Sequence, residues 1–203
     1  RDAFCDAFCL RFAAHSGLIT LIQFIRMPAT TLLGKWRGYL LGLERGETSY
    51  ARRGFRGATV QMRDRLEEVG EAFMNGYHAA LRHGSSASLE AALVEVETDL
   101  RGFAFEEAAM GLALLDALSL WRRDRVGEFL RGAGDAHAYM VHVGVGWVWA
   151  RMPLGLRQSR RGLDPLLSWL AFDGWGFHEG FFHWPKYLAG GPRPKRLRGY
   201  EQR

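Results

Sequence analysis

The chain has 203 residues, of which 48% are apolar and 24% charged. This suits one domain with a real core and excludes a disordered chain. The balance is basic, +5 with a pI near 9.6, and arginine supplies nearly all of it, because Lys35, Lys186 and Lys195 are the only lysines. That bias, with abundant Ala and Gly, reads as the mark of a high-GC bacterial genome.

The chain begins at Arg1, and its first methionine is Met27. Residues 1–26 read as an upstream extension or a disordered leader, ahead of a single helical domain at 27–203. Gly17–Ile25 is apolar but too short to cross a bilayer. With Arg11 before it the run imitates a signal peptide, yet no small-x-small cleavage site follows. Cys5 and Cys9 fall in the same segment, and no further cysteine completes a zinc site or a disulfide framework. No other stretch is apolar enough to insert stably in a membrane, so the expectation is a cytoplasmic protein.

From there the pattern turns helical. After a short segment at Leu40–Ser49 and a turn at Gly54–Ala58, apolar residues Val60, Leu66, Val69, Phe73, Tyr77 and Leu81 recur at helical spacing, with Arg63, Asp64, Glu67, Glu68 and Glu71 opposite. This predicts a helix over Thr59–Leu81, followed by helices over Leu89–Leu100 and Phe105–Leu120 with a bend at Gly102. A shorter helix is expected over Trp121–Leu130, closed by Gly132 and Gly134, and Asp135 can cap the next one. Met140–Trp149 alternates like a strand. A buried helix is preferred there because no partner strand is visible, and Gly144 and Gly146 would then permit close helix contact. Asp164-Pro165 opens the last helix with proline at its first position. The fold expected is all-α, a compact helical domain. Its turn-rich basic end, Gly190–Gly199, reads as a connector from an incomplete chain, truncated at its C-terminus.

Seven residues recur 72 positions apart. Gly102-Phe-Ala-Phe-Glu-Glu-Ala108 returns as Gly174-Trp-Gly-Phe-His-Glu-Gly180. This degenerate repeat, around 102–108 and 174–180, delivers a glutamate to the same place twice, Glu107 and Glu179. It suggests one pocket in which the two face each other. Glu107, Glu179 and His178 are candidate proton-handling residues. Glu179 and His183, four apart, share a helix face, and with Glu107 they form a candidate metal-ligand set. His178 and His183 are five apart and diverge by about 140° on a helix, so the zincin spacing is not met. Phe105, Trp175, Phe177 and His142 are candidate pocket residues, although such aromatics also serve as plain core. A metal is the one cofactor for which the sequence offers ligands. Nucleic-acid binding has only net charge in its favour.

Glu47–Phe55 (ETSYARRGF), Gly102–Met110, Tyr139–Gly144 and above all Asp173–Trp184 (DGWGFHEGFFHW) resemble a bacterial family of unknown function. Its members are described as enediyne biosynthesis proteins and lie in enediyne polyketide gene clusters, mainly of actinomycetes. The resemblance spans about residues 30–200. Family members continue past Leu197–Tyr200, which again implies a truncated chain. The resemblance implies an accessory or tailoring role in antibiotic biosynthesis, acting on or binding an apolar polyene polyketide intermediate. The family carries over no catalytic residues. The alternative is a non-catalytic binding or scaffold protein that docks a carrier domain or partner enzyme through Arg193, Lys195, Arg196 and Arg198. Third, the repeat could be only a packing solution.

Overall fold

The computed structural model describes residues 32–85, 87–119, 124–152 and 162–188. Residues 1–26 with their two cysteines, and the basic stretch at 193–198, lie outside them. Every regular element among the described residues is helical: α1 (Leu32–Leu41), α2 (Tyr50–Arg53), α3 (Val60–His83), α4 (Ala87–Val94), α5 (Arg101–Ala117), α6 (Arg125–Leu130), α7 (Ala138–Arg151), α8 (Leu170–Phe182) and α9 (Trp184–Leu188). Short 3-10 turns occur at Arg45–Thr48, Asp135–His137 and Leu167–Trp169. The all-α expectation holds, and among the described residues no helix is long and apolar enough to cross a membrane.

Local chemistry sets several of the helix ends. Thr59 accepts from the Met62 amide at the start of α3, and Gly84 closes it at φ +62°, donating to the Ala80 carbonyl, a backbone region that favours glycine. The helix expected to reach Leu100 stops at Val94. There Arg101 donates to the Val94 and Val96 carbonyls and supplies the partners that another helical turn would have given. The bend therefore falls at residues 95–100, and Gly102 lies inside the first turn of α5. Asp164 accepts from the amides of Leu166 and Leu167, but the turn it caps is 3-10, and α8 begins only at Leu170.

Helices α3, α5, α7 and α8 pack side by side in that order, α3 on α5, α5 on α7 and α7 on α8. The ambiguous Met140–Trp149 stretch is α7, buried along Val141, Val145, Trp147, Val148 and Trp149. Burial on both sides outweighs the weak helix propensity of its valines. Gly144 and Gly146 make this possible. A Cβ at Gly144 would stand 1.9 Å from the Glu106 carbonyl of α5, and one at Gly146 would stand 1.9 Å from the Ala171 carbonyl of α8. Two residues apart on a helix point about 200° apart, so each glycine serves one neighbour.

The core divides in two. Ala104, Phe105, Ala108, Leu112, Val141 and Val145 form the larger cluster with α4 and α6. Tyr77, Met110, Leu114, Trp147 and Val148 form the second, which backs the cavity described next.

Candidate functional site

A cavity of about 760 Å³ opens between α3, α5, α7 and α8, beneath the segment that carries α2. Its volume lies within the range of about 300–1,000 Å³ usual for small-molecule sites. Leu66, Val69 and Phe73 of α3, Met110 of α5, and Phe177 and Phe181 of α8 give it an apolar wall. Gly176 and Gly180 also border it, and a Cβ at either would meet nothing within 4 Å. The small residues of the second repeat thus leave room for the cavity. At the rim, buried Glu47 is paired with Arg52 and with Arg53. Arg53 lies over the rings of Phe181 and Phe182, which fixes the α2 segment onto α8.

Glu107 stands out in this wall. It lines the cavity and is only 3% exposed, and its Oε1 meets no hydrogen-bond partner among the described residues. Burial, with adjacent Glu106 adding to it, pushes its carboxyl well above the ordinary value, while Arg151 pulls the other way. Burial thus favours the protonated form, and a protonated carboxyl can donate as well as accept. Glu106 is equally buried and accepts from the Trp147 indole at 3.1 Å. Burial raises it to about 8, and that hydrogen bond only partly offsets the shift.

The second copy of the repeat is built differently. Arg151 Nε donates to His178 Nε2 at 3.1 Å. Burial, together with the Arg151 cation, lowers His178 to about 4, so the ring is neutral and its proton sits on Nδ1. That nitrogen faces Glu179 Oε1 at 3.8 Å, and His183 Nδ1 approaches the same oxygen at 3.4 Å. Tyr187 donates to Glu179 Oε2 at 2.6 Å. Burial works against the Glu179 charge, but His178, Tyr187 and His183 outweigh it and hold the carboxyl at about 2. The helix ends at Phe182, and His183 leaves the helical track at φ −121°. The two histidine rings consequently come within 6.0 Å of each other, instead of diverging as a continued helix would have required.

Ligand-type atoms of His178, Glu179 and His183 all lie within 4.8 Å of one another. A tetrahedral ion with bonds of about 2.1 Å spaces its donors about 3.4 Å apart, which the Glu179–His183 pair meets. His178 fits only conditionally. To ligate through Nδ1 it must move its proton to Nε2, which would then oppose the Arg151 N–H. Ligation by His178 therefore requires Arg151 to turn away.

The structure separates some of the expected site residues and joins others. Glu107 and Glu179 do not face one another, because α7 lies between their helices and Glu179 turns toward α9. They are linked indirectly, from Glu107 to Arg151 through its charge and from His178 to Glu179. The candidate metal set accordingly loses Glu107 and gains His178. Phe177 lines the cavity, whereas Phe105 is core, stacked on Phe129 and against His137. Phe105 and Glu107, two residues apart, leave α5 on opposite sides, and Trp175 likewise packs into the larger core. His142 is a structural tie, hydrogen-bonded to the Ala138 carbonyl and accepting from the Asp164 amide. Sequence reasoning missed Glu106, Trp147 and Arg151. The available signal was a pair of acids inside the otherwise apolar run Phe103–Leu115.

Fold and site together define a helical domain with a largely apolar cavity that the buried Glu107 carboxyl borders. The chain belongs to the family described as protein of unknown function (DUF1702), whose model matches residues 32–203. Comparison with curated proteins and with solved structures finds no match.

Proposed function

We propose that this protein binds an elongated apolar small molecule in the cavity between α3 and α8 and presents it to Glu107. The observation that carries this reading is a cavity of about 760 Å³ with an apolar wall, closed at one side by a buried carboxyl. A carboxyl with an unmet oxygen in a core is costly, and an apolar void of this size gives up contacts that a packed core would make. Both are explained by a ligand. The resemblance to enediyne-cluster proteins favours a polyene polyketide intermediate, with the protein as an accessory or tailoring component of that pathway. Only Glu107 of the candidate proton-handling residues borders the cavity, so binding is preferred to a two-carboxylate reaction.

A fluorescence titration with diphenylhexatriene, a linear polyene hydrocarbon that emits strongly only in apolar surroundings, tests the reading. The protein should take up one equivalent, and Gly176→Phe and Gly180→Phe, whose Cβ atoms meet nothing within 4 Å and whose rings would occupy cavity space, should abolish uptake while the helical circular dichroism is unchanged. Uptake that both variants leave intact would place the probe elsewhere and overturn the proposal.

A further inference from the structure

From the polar groups that border the cavity we infer that its ligand carries an oxygen acceptor, a carbonyl or a carboxylate, at the end that reaches Glu107. The inference rests on the binding reading above and adds the chemistry of the ligand's head. Glu107 Oε1 is the buried side-chain oxygen in the cavity wall without a hydrogen-bond partner among the described residues. Arg151 borders the same cavity. Its Nε is engaged by His178 Nε2 at 3.1 Å, and its guanidinium lies over the Phe182 ring at 5.5 Å. Two constraints on one side chain hold it in place. Glu179, fixed by Tyr187 and facing the Nδ1 side of His178, steadies the imidazole in turn.

The head that fits follows from the donors. A carboxyl buried as Glu107 is favours its protonated form, which offers one O–H, and a guanidinium offers only N–H groups. A hydrocarbon end would offer the Glu107 oxygen no partner. An amine or other cation would meet Arg151 as a like charge. An oxygen with two lone pairs satisfies Glu107 and gains from the nearby positive charge. Apart from Glu47, Thr48 and Arg56 in the segment around α2, the rest of the wall is apolar, so the remainder of the molecule is largely hydrocarbon. Glu107 is the binding residue in this scheme, and Arg151 acts as a supporting charge.

Three probes with one chain test this: a linear C18 conjugated tetraene as the hydrocarbon, as the methyl ester and as the free acid, each followed by polyene fluorescence. The wild-type protein should bind the ester about three- to tenfold more tightly than the hydrocarbon, the worth of one buried hydrogen bond. Glu107→Gln keeps a donor and should keep the preference. Glu107→Met should lose it while still binding the hydrocarbon, which also shows that the variant is folded. An acid that binds more tightly than the ester, with the difference erased in Arg151→Met, identifies a carboxylate head, and equal binding identifies a carbonyl. Equal affinity of the wild type for all three probes overturns the inference and leaves the cavity reading standing. Failure to bind any of them overturns both.

Discussion

Replacing Glu107 with methionine should make the protein more stable. The side chain is 3% exposed, and its Oε1 has no hydrogen-bond partner among the described residues. A buried polar atom left in that state costs about 1–3 kcal/mol. Methionine has nearly the same length and no polar group, and it adapts to irregular gaps. The lost attraction to Arg151 is small because burial holds the carboxyl well above its ordinary value and so favours the uncharged form. The net gain should be about 1–2 kcal/mol, or about 2–8 °C in Tm for a domain of this size. Thermal unfolding at pH 7 followed by circular dichroism, with urea titration beside it, measures the change. A loss of stability would mean that Glu107 has a structural partner, and the case for a ligand-directed carboxyl would fail with it. A residue that destabilises its own fold while facing a cavity fits the usual exchange of stability for function.

Other expectations follow from the same geometry. Gly144→Ala drives a Cβ to within 1.9 Å of the Glu106 carbonyl and should destabilise by about 1–3 kcal/mol, whereas Gly176→Ala meets no atom and should stabilise by up to about 1 kcal/mol through helix propensity; urea unfolding of both, with the order reversed, would disprove the α5–α7 contact. Glu106 takes up a proton on folding between its ordinary value of 4.5 and about 8. Its stability contribution is full below about pH 4.5 and is lost as pH rises through 8, at roughly 1 kcal/mol per pH unit. Glu106→Gln should flatten that slope and keep the Trp147 bond, and an unchanged slope would assign it elsewhere. Arg151→Gln frees His178 Nε2 to carry the proton, so zinc affinity measured by calorimetry should rise about tenfold. Equal affinity would show that the Arg151–His178 bond does not restrain ligation.

Much of the fold was legible because periodicity and caps agree with burial. Thr59 and Gly84 bound α3 much as the apolar spacing predicts, and the lack of a partner strand made the helical reading of a strand-like segment the better one, with Gly144 and Gly146 then free to serve helix contact. What the sequence withheld was tertiary. Arg101 ends α4 by reaching back to its carbonyls, an interaction that no local pattern announces. The repeat at Gly102 and Gly174 placed its two glutamates correctly on their helices but said nothing of α7 lying between them. A Cβ at Gly174 would meet the Val143 carbonyl at 1.9 Å, while one at Gly102 would meet only the Met140 side chain at 3.7 Å. The two copies therefore share a pattern without sharing a packing role. Glu106 and His178, at equivalent positions, do meet the same Trp147. The His178–His183 proximity depended on where α8 stops, and helix ends are the feature that spacing rules locate least well.

The central claim is that a ligand's polar head reaches Glu107 inside the cavity. A crystal structure of the protein with the tetraene methyl ester tests it most directly. The account predicts the chain lying between α3 and α8, with its carbonyl oxygen about 2.5–3.2 Å from a Glu107 carboxyl oxygen. Density for the ester group out at the Phe177 rim, or for the chain on another face of the protein, would contradict it.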